Sequence, residues 1–165
     1  MAQIYISLGS NVEREQNVKQ GLISLAKAFD LSFEQLTLSS LFECEAIGFN
    51  GPDFYNMVIG IKCRHSVEQV ATMLREIEFF HGRDHNAKKF SPRTLDLDLL
   101  LYDNLVIDQP AQLPRDEITK NAFVLWPLSQ VAPKLAHPIL NNCYEKLWQD
   151  YNKNTQQLSI VANCW

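Results

Sequence analysis

Asp96 and Asp98 alternate with leucines in Thr94-Leu95-Asp96-Leu97-Asp98-Leu99-Leu100-Leu101, a period of two that reads as a β-strand. Side chains i and i+2 of a strand share a face, so Asp96, Asp98 and Leu100 point one way. Leu95, Leu97, Leu99 and Leu101 then point the other. Two strand rises put the aspartate Cα atoms roughly 6.6 Å apart. Like charges that close repel, and each favours protonation unless a cation neutralises the pair. Oxygen ligands select a hard ion such as Mg²⁺, which takes one or two carboxylates and leaves its other positions to water and phosphate. A pair of such ions about 3.5–4 Å apart can clamp both ends of a phosphoryl displacement. The competing reading of a bare Asp-x-Asp is a half-solvated strand with an acidic outer face.

The preceding segment shifts the balance toward chemistry. Residues 81–93 carry His81, Arg83, His85, Lys88, Lys89 and Arg93 against a single acid, Asp84. The chain as a whole has 15 Lys+Arg and 19 Asp+Glu, a net charge of −4, so this basic concentration runs against the overall balance. A basic stretch punctuated by Gly82 and Pro92 and leading into a carboxylate pair suits a polyanion bridging the two, and triphosphate with Mg²⁺ fits. A solvated loop is the plainer alternative. There is no G-x-x-x-x-G-K-[ST] string, so phosphate is not held as in P-loop proteins.

The surrounding periodicity predicts the elements that must position these residues. Residues 4–8 form a short strand rich in β-formers, broken by Gly9-Ser10-Asn11. Residues 14–29 read as a helix with Val18, Leu22, Leu25, Ala26 and Phe29 on one stripe, and 33–42 as a second strand. Turn residues make 43–53 a loop. A third strand, 54–62, puts Phe54, Asn56 and Val58 on one face and Tyr55, Met57, Ile59 and Ile61 on the other. Ser66-Val67-Glu68-Gln69 is a capping box opening a second helix, with Val70, Met73 or Leu74, Ile77 and Phe80 or a close neighbour inward and Gly82 as its stop. After the Asp-x-Asp strand come a turn at 102–104, a possible strand at 105–107, helices at 124–131 and 144–151, and a last strand at 158–161. The order β-α-β-β-α-β is that of an α+β ferredoxin-like sandwich, an antiparallel sheet with helices packed on it, here with extra C-terminal helices. That topology hosts many functions and decides none.

Bulk properties narrow the classes. The 165 residues, 46% hydrophobic and 21% charged, are expected to form one domain, 1–165. There is no basic n-region with a long apolar run and no apolar stretch near the ~18 residues of a membrane span, so a cytoplasmic protein away from membranes is expected. Cys44, Cys63, Cys143 and Cys164 are scattered without C-x-x-C spacing and read as reduced thiols. A pI near 5.5 and the lack of an RNA-recognition motif on residues 54–62 argue against nucleic acid. A polymerase-palm nucleotidyl transferase would share the Asp-x-Asp pair but normally needs a third carboxylate on another strand, and nothing marks one. A protein that binds metal and nucleotide without turnover is the other alternative.

With these features placed, the chain resembles the 6-hydroxymethyl-7,8-dihydropterin pyrophosphokinases of folate biosynthesis, almost end to end. The likeness rests on Gly9-Ser10-Asn11, Asp53-Phe54-Tyr55-Asn56, Gly82-Arg83, Pro92-Arg93-Thr94-Leu95-Asp96-Leu97-Asp98 and Phe123-Val124-Leu125-Trp126-Pro127-Leu128. It implies a monomer acting on small molecules, moving pyrophosphate from ATP to the pterin hydroxymethyl group. It implies Asp96 and Asp98 as ligands of two Mg²⁺ ions, and Arg83 and Arg93 as catalytic arginines contacting the polyphosphate. Leu99 and Arg115 would also lie on the ATP side. The pterin would sit between Phe54 and Phe123, with Asn56 and the backbone of Cys44, Ala46 and Ile47 along its edge. The residues agree, since Phe54 and Asn56 share a strand face and can address one flat heterocycle. Plain core packing is the alternative for the two phenylalanines. No dedicated base is evident.

The sequence departs from the family pattern on the nucleotide side. Pro114-Arg115 replaces a Pro-His pair, Asn121 an arginine, His85 a second loop cation, Phe90-Ser91 an aromatic-glycine pair, and Ala46 a proline on the pterin side. Arg115 offers more donors and a fixed charge, whereas Asn121 offers no charge. Two readings follow: a working enzyme with a rewired triphosphate site, or a diverged relative with weak or altered activity. Retention of Asp96, Asp98, Arg83 and Arg93 favours the first.

Overall fold

The computed structural model describes residues 1–82 and 94–165. In chain order it contains β1 (Ala2–Ser10), α1 (Arg14–Ala28), β2 (Thr37–Leu38), β3 (Leu41–Cys44), β4 (Phe54–Cys63), α2 (Val67–Phe80), β5 (Asp96–Tyr102), α3 (Ala122–Val131), α4 (Tyr144–Asp150) and β6 (Leu158–Val161). The strands form one sheet in the order β5-β1-β4-β3-β6, with β2 also on β4 and every pairing antiparallel. The expected α+β sandwich is present, with β6 lengthening one edge.

The period-two strands supply two cores, one on each face of the sheet. On the first, Ile4, Ile6 and Leu8 of β1, Met57, Ile59 and Ile61 of β4, and Leu95, Leu97 and Leu99 meet Val18, Leu22 and Leu25 of α1 and Val70, Leu74 and Ile77 of α2. Each such side chain contributes roughly 1.5–3 kcal/mol on full burial. Gly21 lets α1 approach closely: a Cβ there would lie 2.9 Å from Leu95 Cδ1 and 3.2 Å from Leu8 Cδ1. On the second face, Val58, Leu100 and Leu101 meet Val124, Leu125 and Leu128 of α3 and Tyr144 of α4. The capping box forms as expected, Gln69 N–H donating to Ser66 Oγ at 3.2 Å and Ser66 N–H to Gln69 Oε1 at 2.8 Å. Gly82, at φ +93°, ends α2 in the left-handed region that glycine tolerates.

Several expectations are corrected. Residues 33–42 are not one strand but a 3₁₀ turn, Phe33–Gln35, followed by β2 and β3. Ser32 and Gln35 cap that turn. Between the short strands, Ser39 bonds to β4 through its side chain, Oγ accepting from Val58 N–H at 2.9 Å. Leu101 does not share a face with Leu95, Leu97 and Leu99, because the β1–β5 register slips between Tyr5 and Ile6. That bulge at Leu100 sends both Leu100 and Leu101 into the second core. Residues 105–107 make no strand; only Ile107 bridges, to Leu113, and Leu105 and Val106 stay exposed. Phe80 is 83% exposed. At about 100° per residue the α2 stripe passes from Leu74 and Ile77 to His81 instead, and His81 Nε2 hydrogen-bonds Ser24 Oγ on α1 at 2.9 Å. Helix α3 starts at Ala122, which takes Phe123 into its first turn.

Candidate functional site

The strand parity that leaves the first core empty of charge gathers polar groups on the second face. Phe42 of β3, Asn56 of β4, Gly9 of β1 and Asp96 of β5 lie in one cross-strand row. One step along, Val58, Ser7 and Asp98 form the next. Asn56, Asp96 and Asp98 are half-buried. Gly9 is the residue this row requires, since a Cβ there would lie 2.7 Å from Asn56 Oδ1 and 3.7 Å from Phe54 Cδ1. The expected shared face of Asp96 and Asp98 is therefore observed, with the Asn56 amide one strand beyond the glycine.

Arg115 joins the acidic end. Its Nη2 lies 3.2 Å from Asp98 Oδ1 and 3.4 Å from Glu117 Oε1. Its backbone N–H donates to Leu100 C=O at 2.9 Å, tying it to the bulged end of β5. Its Nε is buried with no acceptor among the described residues. Behind the aspartates, Leu97 N–H donates to Glu78 Oε2 at 2.9 Å. Glu78, on α2 and 6% exposed, thus fixes the outer edge of β5 at the residue between the two carboxylates. Sequence pattern alone does not mark Glu78; an acid beside Leu74 and Ile77 on an apolar stripe is its one signal.

Three of the pterin-side candidates, Cys44, Phe54 and Asn56, also meet. Cys44 pairs with Phe54 across β3 and β4, and Asn56 Nδ2 donates to Cys44 Sγ at 2.8 Å. Burial pushes the Cys44 thiol up to about 12, outweighing the Asn56 hydrogen bond that lowers it, so the group stays protonated and serves packing rather than nucleophilic attack. Phe54 meets Phe49 edge-on at 6.3 Å. Trp126 of α3 packs on buried Phe42 at 4.8 Å and stacks on Trp148 at 5.0 Å. Phe123 lies one turn before Trp126 on the same side of the helix and packs against the second core. Phe54, Asn56 and Phe123 thus share this side of the sheet.

The loop at 45–53 is tied down at its base. Arg14 Nη1 donates to Asp53 C=O at 3.1 Å, pairs with Glu43 Oε2 at 2.5 Å, and lies 3.9 Å over the Tyr55 ring. Asn11 Nδ2 donates to Pro52 C=O at 3.2 Å, which gives the Gly9-Ser10-Asn11 string a physical purpose. Arg14 also escaped the sequence reading. An arginine in a first helical turn opposes the helix dipole, and that local mismatch was its only signal. Ala46 and Ile47 follow Cys44 into this loop, Ile47 exposed.

The remaining candidates divide. The Leu99 side chain is buried in the first core, so only its main chain is available to a ligand. Arg83 and Arg93, with His85, Phe90 and Ser91, lie outside the described residues. Asn121 Oδ1 accepts from Gln156 Nε2 at 2.9 Å, while Gln156 Oε1 accepts from Ala122 N–H at 2.8 Å. Gln156 thereby caps α3 and holds Asn121. Among the described residues no group of three His, Cys, Asp or Glu forms a metal-holding cluster. The aspartates offer oxygens of the kind that suits Mg²⁺, an ion that binds through one or two carboxylates.

The model of the 7,8-dihydro-6-hydroxymethylpterin-pyrophosphokinase (HPPK) family matches residues 5–133. The chain belongs to that family. It is 33% identical to the 2-amino-4-hydroxy-6-hydroxymethyldihydropteridine pyrophosphokinase of Haemophilus influenzae over 141 residues, covering 84% of this chain and 86% of that one. The Aquifex aeolicus protein of the same name is 29% identical over 142 residues, with the same two coverages. A folate synthesis bifunctional protein of Chlamydia caviae is 32% identical over 137 residues, 79% of this chain but 30% of that longer one. Among solved structures, a Plasmodium falciparum HPPK-DHPS triple mutant with pteroate superposes with a TM-score of 0.68 at 12% identity, covering 93% of this chain. The chain spans 44% of that structure's length. At that identity the likeness concerns the fold, and the fold agrees.

Proposed function

We propose that this chain carries out the reaction its family name describes, moving the pyrophosphoryl group of ATP to the hydroxymethyl oxygen of 6-hydroxymethyl-7,8-dihydropterin and releasing AMP. The observation that carries the reading is the Asn56–Gly9–Asp96 row. It sets a heterocycle-recognising amide and a cation-binding carboxylate two strands apart, with a glycine leaving room between them. Family membership over residues 5–133 supports the reaction class. Asp96 and Asp98 would hold the two Mg²⁺ ions, which when bound would supply charge neutralisation of the triphosphate.

Each residue then has a role in positioning or in electrostatics. Phe54 and Phe123 bracket the flat pterin. Asn56 addresses its edge together with the main chain of Cys44, Ala46 and Ile47. Arg115 faces the polyphosphate from the acidic end, and the Leu99 main chain lies on the nucleotide side. Arg83 and Arg93 complete the polyphosphate contacts on the strength of the sequence string that contains them. The hydroxymethyl oxygen attacks the β-phosphorus in line and gives up its proton to solvent water, the bond from the β-phosphorus to the bridging α-phosphate oxygen breaks, and AMP departs with that oxygen. Catalysis in such a site comes from orientation and from donors preset where charge develops, without a dedicated base. One domain acting as a cytoplasmic monomer belongs to the same proposal. Among the described residues no helix is long and apolar enough to cross a membrane.

The test is to identify the product. Incubation with Mg-ATP and the pterin, followed by ³¹P NMR, should show a diphosphate ester on the pterin together with AMP. A pterin monophosphate with ADP, or a pterin left unmodified, would contradict the proposal.

A further inference from the structure

We propose that Arg115 is a resident counter-ion of Asp98 and makes metal and nucleotide binding interdependent, each weak without the other. The inference rests on the reading of Asp98 as a metal ligand given above. Arg115 Nη2 stands 3.2 Å from Asp98 Oδ1, so a guanidinium already occupies one direction from which a cation would approach that oxygen. It is held there by a short tether, because the Arg115 N–H is bonded to Leu100 C=O and the residue caps the 3₁₀ turn Asp116–Thr119. A divalent ion arriving alone meets both a competitor for the carboxylate and the positive charge of the guanidinium.

Two further features give the displaced guanidinium somewhere to go. The same Nη2 is 3.4 Å from Glu117 Oε1, so a small pivot exchanges Asp98 for Glu117. Arg115 Nε is buried with no acceptor among the described residues, and a buried donor left unpaired is a standing cost that an incoming anion can offset. A triphosphate arriving with its metal supplies that acceptor while the metal takes Asp98. Metal alone leaves Arg115 with Glu117, which it already touches, and gives it no new acceptor, whereas nucleotide alone brings no cation for the aspartates. A histidine at this position, neutral for much of its time at pH 7, would not impose this coupling.

The test reads binding rather than turnover. Free Mn²⁺ is titrated by EPR against wild type, Arg115→Gln, Arg115→Lys and Asp98→Asn, each with and without a non-hydrolysable ATP analogue. Arg115→Gln should bind Mn²⁺ alone about three- to tenfold more tightly, the range for releasing a partly exposed charge-assisted pair. The enhancement that nucleotide confers should shrink by a similar factor. Arg115→Lys keeps the charge and should stay within about twofold of wild type for Mn²⁺ alone; thermal melts check that both variants are folded. Unchanged or weaker Mn²⁺ binding by Arg115→Gln, or equal nucleotide enhancement in both proteins, would overturn the proposal. Asp98→Asn separates the two levels: if it binds Mn²⁺ as wild type does, the metal assignment itself fails, whatever Arg115 does.

Discussion

On the face of the sheet beneath α1 and α2, β5 contributes Leu97 and Leu99, both almost fully buried, and an aliphatic core meets aliphatic helix stripes. One residue away on the same strand, the opposite parity presents Asp96 and Asp98, half-buried beside Arg115 and two strands from Asn56. A single strand thus serves stability with one set of side chains and chemistry with the other. The second face can hold charge because its core is pushed to one end. The bulge at Leu100 turns Leu100 and Leu101 together toward α3, and the aspartates keep the other end.

Substitutions should separate along this divide. The largest effect is expected for Asp98→Ala or Asp96→Ala, with turnover falling by at least about a hundredfold, near 3 kcal/mol of transition-state stabilisation. Thermal stability should hardly move. Steady-state rates and a melt on the same sample check both halves, and an active Asp98→Ala protein would erase the distinction between faces. Leu97→Ala should do the reverse, losing about 2–5 kcal/mol of unfolding free energy in urea titration while keeping turnover per folded molecule within a few-fold. Gly9→Ala sharpens the comparison on the active side. Its Cβ would press on Asn56 Oδ1, and one displaced hydrogen bond should raise the pterin KM severalfold with the ATP KM nearly unchanged.

The smallest effect lies far from the site. Burial holds the His137 imidazole below its ordinary value of 6.5, and its Nδ1 accepts from Ile139 N–H and Leu140 N–H at 3.2 Å each. The folded state therefore favours the neutral ring. The contribution to stability is complete above about pH 6.5, where the unfolded histidine is also neutral, and is lost as pH falls from there through the folded-state value. Urea midpoints measured between pH 7.5 and pH 5 should decline for wild type and decline less for His137→Asn. His81, also lowered by burial, leaves a residual slope.

Local pattern alone makes much of this legible. The alternation through residues 94–99 put both aspartates on one face, and parity placed Phe54 and Asn56 opposite Met57 and Ile59. What escaped was set by partners distant in sequence. The face of Leu101 depends on how β1 pairs with β5, and the break at Ser39 depends on a hydrogen bond to Val58. Glu78 and Arg14 acquire their roles only when helix meets strand or loop, through Leu97 N–H and Asp53 C=O. The stripe's last position, read as Phe80 or a close neighbour, falls by helical angle on His81. For Arg83 and Arg93 the proposed roles rest on the sequence string, and for Asn121 the structure adds what the letter alone does not: its side chain is engaged by Gln156.

The central claim is that the polar face of this sheet joins ATP to a pterin, and AMP release from Mg-ATP with and without 6-hydroxymethyl-7,8-dihydropterin tests it most directly. Formation of AMP that requires the pterin and saturates with it is the predicted result. AMP formed at the same rate without the pterin, or none formed with both substrates bound, would contradict it.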